Sequence, residues 1–240
     1  MVKSTAKLYL VPNTLGHNNP IDVMSKSIGE IIDSIDFFVF EKEKIGRAYI
    51  KSWCPNKSQD KLNIQKLNKH TTQQELIRIL DPCMAGYDMA LISDAGCPGV
   101  ADPGADLVLL AHQSQIEVCP LVGPSSIILA IMSSGLNGQQ FAFHGYLPID
   151  KKECRKAIKK YEHLSFINNQ TQIFIETPYR NMRSFEMLVE QLSAHTLLSV
   201  ACDLSLPTEM ILTKEVSEWT KVELYLNKRP CIFLYLLPSA

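Results

Sequence analysis

The fold of this chain is indicated most clearly by residues 91–104, whose sequence is Leu91-Ile92-Ser93-Asp94-Ala95-Gly96-Cys97-Pro98-Gly99-Val100-Ala101-Asp102-Pro103-Gly104. The apolar run at 88–93 lacks polar alternation, which is typical of a strand that a parallel sheet buries on both faces. Ligands bind beyond the carboxyl ends of such strands. We therefore predict that residues 93–104, the central loop, form a binding site.

The central loop combines residue types that suit ligand binding. Its three glycines permit positive φ angles and close approach of a ligand to the backbone, and its two prolines stiffen it. Asp94 and Asp102 can accept hydrogen bonds from hydroxyl or amine groups. The alternative is a tight strand-to-helix connection with an N-capping Asp. A similar loop, Pro12 to Gly16, follows the predicted first strand, so we expect the two loops to share one crevice.

Length and charge set limits on the class of protein. The chain has 240 residues, of which 46% are hydrophobic and 20% charged, so it can form one large core or, as we favour, two smaller ones. A formal net charge of −1 gives no overall attraction to nucleic acid. Any RNA binding must therefore use local basic patches.

The spacing of the cysteines and histidines indicates a protein of a reducing compartment that has no metal site. The seven cysteines contain no Cys-x-x-Cys pair and the six histidines have no ligand spacing, so we predict no metal site and a cytoplasmic protein. The first apolar run, 8–11, is too short for a signal peptide, and no run of about 18 apolar residues predicts a membrane span.

The hydrophobic pattern predicts an α/β chain of two domains, 1–120 and 121–240. Predicted strands lie at 8–11, 37–40, 88–93, 117–122, 140–148, 172–176, 197–202, 209–214 and 230–236. Predicted helices lie at 22–32, 72–84, 105–114, 123–134, 151–166 and 178–192, the second opened by a capping box at Thr72. Partial alternation over 140–148 indicates a less covered sheet in the second domain.

Two basic stretches remain open to two interpretations. Residues 42–69 mix eight lysines and arginines with aromatic residues, and 151–160 is the densest basic run of the chain. Each is either a nucleic-acid contact or a solvated helix face.

The motifs that are missing narrow the chemistry. The sequence has no Walker A, Gly-x-Gly-x-x-Gly, Gly-x-Ser-x-Gly or His-Glu-x-x-His motif, which disfavours nucleotide hydrolysis, ordinary dinucleotide binding and serine or zinc hydrolysis. A crevice of Gly, Pro, Ser and Asp suits a cofactor that brings its own reactivity, and S-adenosylmethionine is a good candidate. Its methyl group is already activated, so the protein need only align donor and acceptor and exclude water.

With these residues in view, the sequence resembles the tetrapyrrole methylase superfamily of S-adenosylmethionine-dependent methyltransferases. Within it, the chain is most similar to the branch that methylates the ribose 2′-hydroxyl of a cytidine in small-subunit ribosomal RNA. The strongest segments are 93–104, 122–136 and 141–148. Ile175-Glu176-Thr177-Pro178-Tyr179-Arg180 is similar to the Glu-Ser-Pro-His-Arg segment of that branch.

The resemblance implies two α/β domains, a mainly parallel sheet in the first, a mixed sheet in the second, a cofactor cleft between them, and usually a homodimer. It implies cofactor contacts at Gly96, Pro98, Val100 and Ala101 with Asp94 and Asp102 bordering them, at Ser125, Ser126 and Ile127, and on the adenine side at Glu176, Leu206, Pro207 and Pro230. For a hydroxyl acceptor, Glu41 or Asp94 is the candidate catalytic base.

Departures from the family pattern lie in the loops that face the acceptor. Pro12-Asn13-Thr14-Leu15-Gly16-His17-Asn18 replaces Ala-Thr-Pro-Ile-Gly-Asn-Leu, and Glu41-Lys42-Glu43-Lys44 replaces Glu-Asp-Thr-Arg. Methyl donation is therefore better supported than the identity of the acceptor. Ribosomal RNA is the leading hypothesis, a tetrapyrrole or other small molecule is the alternative acceptor, and a cofactor-binding module without turnover is the alternative of another class.

Overall fold

The computed structural model describes residues 6–238, which fall into two units, one ending at Ser125 and the other beginning at Ser126. The predicted domain limits, 1–120 and 121–240, stay a prediction, because a unit defined by its contacts is not by itself an independently folding domain. Residues 1–5, which belong to the amino-terminal segment examined for a signal peptide, lie outside the described residues.

The first unit is built on a parallel five-stranded sheet in the order β3-β2-β4-β1-β5. Its strands are β1 (Lys7–Val11), β2 (Phe37–Phe40), β3 (Asn63–Lys66), β4 (Met89–Ile92) and β5 (Glu117–Pro120). Its helices are α1 (Pro20–Val23), α2 (Ser27–Ser34), α3 (Glu43–Trp53), α4 (Gln73–Ile79), α5 (Asp81–Met84) and α6 (Gly104–Gln113), with one 3₁₀ turn at Gln59–Lys61. The predicted parallel sheet is confirmed.

Strand β4 is buried on both faces because its residues enter two separate cores. Met89 and Leu91 pack in one core with residues of α4 and α6, including Leu107. Ala90 and Ile92 pack in the other with residues of α2, α3 and β2. Both faces need apolar side chains, which explains the absence of alternation in the sequence.

Three local predictions need correction. The helix predicted over 22–32 is two helices, because Met24 adopts an extended conformation and its amide bonds back to the Pro20 carbonyl. The helix predicted over 72–84 likewise divides at Leu80, just before Pro82, although its capping box at Thr72 is confirmed. Strand β3 was not predicted, because an edge strand of sequence Asn-Ile-Gln-Lys has little apolar signal.

The second unit contains a mixed sheet, as predicted, and its strand order is β6-β7-β10-β8-β9. Its strands are β6 (Phe141–Tyr146), β7 (Thr171–Glu176), β8 (Leu197–Cys202), β9 (Met210–Glu215) and β10 (Cys231–Leu236). Its helices are α7 (Ser126–Ser134), α8 (Lys151–Asn168), α9 (Asn181–Gln191) and α10 (Val216–Trp219), of which α10 was not predicted. Strands β6 and β7 run parallel and the other neighbours antiparallel.

Across residues 6–238, every helix is too short or too polar to cross a bilayer.

Candidate active site

The loops that follow the strands of the first sheet meet at one edge, because all five strands run in the same direction. The loop Pro12 to Gly16, called the first loop, is joined to the central loop by an antiparallel bridge between Asn13 and Gly96. The Asn13 amide donates to the Gly96 carbonyl at 2.9 Å, and the Gly96 amide donates to the Asn13 carbonyl at 3.1 Å. The two loops therefore lie side by side, and the crevice that we expect them to share stays a prediction.

The Asn13 side chain strengthens this junction, and sequence reasoning missed it. Its Nδ2 donates to the carbonyls of Ser93 at 3.0 Å and Asp94 at 3.3 Å, and its Oδ1 accepts from the Thr14 amide at 2.8 Å. Asn13 is buried, so each of these bonds satisfies a group that water reaches poorly. The available signal was an amide side chain placed two residues after a buried strand.

The central loop is shaped by one of its own carboxylates. Asp102 Oδ1 accepts from the amides of Gly99 at 2.6 Å and Gly104 at 2.8 Å. Gly99 has φ +78°, and Ala101 has φ +58°, in the left-handed region that costs a residue with a Cβ about 1 kcal/mol or more. Asp102 therefore holds a strained turn, which is a shaping role in addition to the bordering role that the resemblance implies.

Asp94 is engaged by a lysine that the sequence analysis had noted only as a departure from the family pattern. Lys42 Nζ lies 2.5 Å from Asp94 Oδ2. This hydrogen bond to Asp94 raises the pKa of Lys42, so the lysine is held in its charged form. The Asp94 side chain is 21% exposed. One of its two carboxylate oxygens is therefore occupied by Lys42.

Glu41, the other predicted catalytic residue, lies at the carboxyl end of β2 and is exposed. It lines a small cavity together with Ser93, Asp94, Asp102 and Gly104. No hydrogen bond or ion pair is found for its carboxylate anywhere in the chain from residue 6 to residue 238. The structure therefore brings Glu41, Asp94 and Asp102 together and leaves Glu41 the least engaged of the three.

Glu43, two residues further on, is engaged in the same way as Asp94. Its carboxylate pairs with Arg47 at 2.9 Å and with Lys66 at 3.4 Å. Arg47 contributes most to lowering the Glu43 pKa, followed by Lys66. Glu43 is therefore a useful matched control for Glu41.

The segment 123–127, which carries the predicted contacts Ser125, Ser126 and Ile127 and is called the second loop, begins beside the central loop. Cys97 Sγ donates to the Pro124 carbonyl at 3.4 Å. A Cβ added to Gly123 would overlap the ring of Pro12, so only glycine fits this position without movement of the chain. Because Ser125 directly follows Pro124, the bond from Cys97 to the Pro124 carbonyl also brings Ser125 near the central loop. Ser126 and Ile127 open α7, where Ile127 is buried.

In the second unit, strand pairing gathers the residues that the resemblance assigns to the adenine side. Cys231 pairs with Glu176 on one neighbour and with Cys202 on the other, so the ends of β7 and β8 and the start of β10 share one edge. The Pro230 carbonyl accepts from the Asp203 amide at 3.0 Å. Leu206 and Pro207 lie in the loop that follows β8 at the same edge.

The Glu176 carboxylate is satisfied inside the second unit. Oε1 accepts from the Thr177 amide at 2.7 Å, and Oε2 accepts from Ser184 Oγ at 2.8 Å and pairs with Arg180 at 2.9 Å. Its side chain is 2% exposed. The geometry gives Glu176 a role in fixing the strand end, and its contact with a cofactor stays a prediction.

The central loop fits a sulfonium nucleoside such as S-adenosylmethionine. A Cβ built on Gly99 would meet nothing closer than the Ala105 nitrogen at 4.0 Å, so this part of the backbone faces open space. The neighbouring residue, Val100, is apolar and 47% exposed to solvent. Main-chain groups, one apolar side chain and nearby carboxylates are the kinds of contact that a nucleoside with a positive sulfur requires. Among residues 6–238, no group of three His, Cys, Asp or Glu side chains is arranged to hold a metal ion.

The chain has relatives among known proteins both in sequence and in fold. No family model matches the chain. The chain is 30% identical over 221 residues to "Ribosomal RNA small subunit methyltransferase I" of Escherichia coli O157:H7, covering 91% of this chain and 73% of that protein. It is 29% identical over 205 residues to the protein of the same name from Vibrio cholerae, covering 85% and 67%.

Solved structures share the fold. A diphthine synthase matches with a TM-score of 0.67 at 12% identity, covering 96% of this chain and 90% of that one. Uroporphyrin-III-C-methyltransferase from Thermus thermophilus matches with a TM-score of 0.55 at 16% identity, covering 96% and 92%. At these identities the likeness concerns the fold alone.

Proposed function

Because the chain belongs to the ribosomal RNA small subunit methyltransferase I family, in the tetrapyrrole methylase superfamily of S-adenosylmethionine-dependent methyltransferases, we propose that it methylates a ribose 2′-hydroxyl of ribosomal RNA. The observation that carries the proposal is the 30% identity extending over 91% of the chain, which includes the central loop. The proposal concerns the acceptor, since the class of reaction follows from the family.

When bound, S-adenosylmethionine supplies a methyl group already activated by its sulfonium. The chain's own part is alignment and exclusion of water. The residues that would hold the cofactor are Gly96, Pro98, Val100, Ala101, Ser125, Ser126 and Ile127, with Asp94 and Asp102 at the border. Asp102 keeps the central loop in shape through the amides of Gly99 and Gly104. The contacts at Glu176, Leu206, Pro207 and Pro230 belong to the same proposal.

A ribose hydroxyl is a weak nucleophile, so a proton acceptor near it assists the reaction. We assign this role to Glu41, whose exposed carboxylate opens on the cavity beside the central loop. Asp94 is the weaker candidate because Lys42 occupies its Oδ2. Asp94 would instead orient Lys42 at the edge of the site.

The location and assembly of the enzyme are part of the same proposal. We place it in the cytoplasm because its seven cysteines, all among the described residues, form no disulfide with one another, as expected in a reducing compartment. We also propose a homodimer, the assembly that the family resemblance implies. Light scattering of the purified chain, which reports its mass in solution, tests that part directly.

The acceptor is tested by transfer of a labelled methyl group. The purified chain is incubated with methyl-labelled S-adenosylmethionine and, in parallel, with small-subunit ribosomal RNA transcribed in vitro, small ribosomal subunits, and a metabolite extract containing tetrapyrroles. We expect label in RNA, at a linkage that has become resistant to alkali because its 2′-hydroxyl is blocked. Label only in the metabolite extract would reject the RNA acceptor.

Two glutamates two residues apart provide the matched comparison for the proposed base. Glu41→Gln should lower kcat at least about a hundredfold, the lower end of what a general base contributes. Glu43→Gln removes a neighbouring carboxylate that is already paired, and should lower kcat less than about threefold. Cofactor affinity measured by calorimetry should be similar in both. Equal rates in the two variants would remove Glu41 from the mechanism.

A further inference from the structure

The second unit displays aromatic side chains on a surface of its own sheet. It lies where the parallel strands β6 and β7 end. Tyr146 ends β6 and is 55% exposed, and Tyr179, in the loop after β7, is 81% exposed. Ile149 is 70% exposed between them in the chain. Exposed apolar residues that occur together, rather than scattered singly, mark interaction sites.

Contacts within the second unit join these segments into one surface. The Arg180 guanidinium donates to the Leu147 carbonyl at 3.2 Å, and the Arg183 guanidinium donates to the Ile149 carbonyl at 3.3 Å. A shallow cleft between them is lined by Ile149, Lys151, Arg180 and Arg183 at the rim and by buried Cys154 and Met187. We call Tyr146, Ile149, Lys151, Lys152, Tyr179 and Arg183 the β6–β7 surface.

The cations of the β6–β7 surface, Lys151 and Lys152 at the start of α8 and Arg183 on α9, differ from three other cations of α8. Further along α8, Arg155 pairs with Glu190 at 2.9 Å, Lys156 with Glu153 at 2.9 Å, and Lys159 with Glu162 at 3.2 Å. Lys151, Lys152 and Arg183 have no carboxylate within ion-pair distance in the part of the chain that the structure describes. The nearby Asp150 uses Oδ1 to cap α8 through the Glu153 amide at 3.0 Å.

We propose that the β6–β7 surface binds single-stranded RNA, with bases stacked on Tyr146 and Tyr179 and phosphates held by Lys151, Lys152 and Arg183. Unpaired cations beside exposed aromatic rings match the phosphate and base of a nucleotide, and base stacking does not depend on sequence. A protein partner is less well matched, since the segments that carry the exposed apolar residues also carry three unpaired cations. The inference rests on the proposed RNA acceptor and specifies where the chain grips it.

Two triple substitutions with the same change in net charge test the phosphate contacts. Lys151→Gln/Lys152→Gln/Arg183→Gln removes the unpaired cations, and Arg155→Gln/Lys156→Gln/Lys159→Gln removes three paired cations of α8. Binding is measured by fluorescence anisotropy with a labelled 12-nucleotide single-stranded RNA and with an unmodified small-subunit ribosomal RNA transcript. Thermal unfolding establishes that both variants remain folded.

We expect the first triple to weaken RNA binding at least tenfold and the second less than twofold. The slope of log affinity against log salt should fall by about 2 in the first triple, at roughly 0.7 for each lost phosphate contact on a single strand. Equal losses in the two triples would mean that only net charge matters, and would overturn the proposal.

The stacking contacts are tested separately. Tyr146→Ala/Tyr179→Ala should weaken binding by about fivefold or more for each ring, whereas Tyr146→Phe/Tyr179→Phe should retain binding because the ring is kept. If the alanine pair instead changes the mass measured by light scattering while RNA binding is unaltered, the surface is a contact between copies of the chain and the proposal is wrong.

Methyl transfer distinguishes this inference from the proposed function. If the wild type methylates RNA and the first triple does so with unchanged KM, the acceptor is right and the surface is wrong. If no variant methylates RNA but the wild type binds it through these residues, the surface is right and the acceptor is wrong.

Discussion

The edge of the first sheet and the β6–β7 surface use charge in opposite ways. At the first, three of four carboxylates are occupied within the protein, Asp94 by Lys42, Glu43 by Arg47 and Lys66, and Asp102 by two backbone amides. At the second, three cations stand without a carboxylate in the described chain. The first arrangement holds loops in position for a small ligand, and the second leaves charge free for an extended anionic one.

The paired carboxylates of the first sheet differ in how much their bonds contribute to the free energy of unfolding. An exposed ion pair contributes about 0–1 kcal/mol, whereas a carboxylate that accepts from backbone amides contributes more for each bond. Lys42 and Asp94 therefore matter chiefly for geometry, and Asp102 for stability of the loop. The comparison predicts a graded series of effects.

The largest effect is expected for Asn13→Ala, which removes the side chain that ties the first loop to the central loop. It leaves the Ser93 carbonyl and the Thr14 amide without partners in a buried place, at a cost of about 3 kcal/mol. Urea unfolding measures this cost, and calorimetry should show cofactor affinity reduced at least tenfold. Asn68→Ala, at an exposed turn, is the control and should leave cofactor affinity unchanged. If Asn13→Ala binds the cofactor as tightly as wild type, the link between the first loop and the central loop has no part in cofactor binding, and the prediction is wrong.

A somewhat smaller effect is expected for Gly123→Ala. The added methyl group would overlap the Pro12 ring, and the strain should cost about 2 kcal/mol as the loops move apart. Gly138→Ala is matched to it, because the new Cβ would meet only Ile131 Cγ1 at 4.0 Å. Comparing the two by urea unfolding and calorimetry isolates the packing of the first loop against the second. A Gly123→Ala protein as stable as Gly138→Ala would disprove this tight contact.

Glu162 lies on α8, the helix that begins with Lys151 and Lys152, and its carboxylate is paired within the second unit. Burial acts to raise its pKa, but hydrogen bonds from the Ser193 amide and Thr196, with Lys159, outweigh burial and lower it below the ordinary 4.5. A lowered pKa stabilises the folded state above about pH 4.5, and this contribution is lost as the pH falls through the folded-state pKa. Glu162→Gln should be less stable than wild type by about 1 kcal/mol at pH 7. The difference should shrink with acid in urea unfolding between pH 7 and pH 3.

The smallest effect on stability is expected for Lys42→Gln. The lysine side chain is 64% exposed, so loss of its pairing with Asp94 should change the free energy of unfolding by less than about 1 kcal/mol. Methyl-transfer kinetics should nevertheless change, because Asp94 would become a second free carboxylate near the acceptor. A loss of stability above 2 kcal/mol would contradict the geometric role assigned to the pair.

Much of the first unit was predictable because its signals are local. The unbroken apolar run at Met89–Ile92 reflects burial on two faces, and the Thr72 capping box reflects hydrogen bonds within four residues. Breaks at Met24 and Leu80 were missed because helical periodicity continues across them. Strand β3 was missed because its pairing with β2, not its composition, makes it a strand.

The sequence by itself determined the class of fold, the central loop and, through the resemblance, the family. Only the tertiary structure decided which charges are occupied: Lys42 meets Asp94 across 52 positions of sequence, and Arg155 meets Glu190 across 35. Periodicity and turn residues act over a few neighbours, so they can be read from the chain. Ion pairing depends on which distant segments packing brings within about 4 Å, so the free cations at Lys151, Lys152 and Arg183 become visible only in the folded protein.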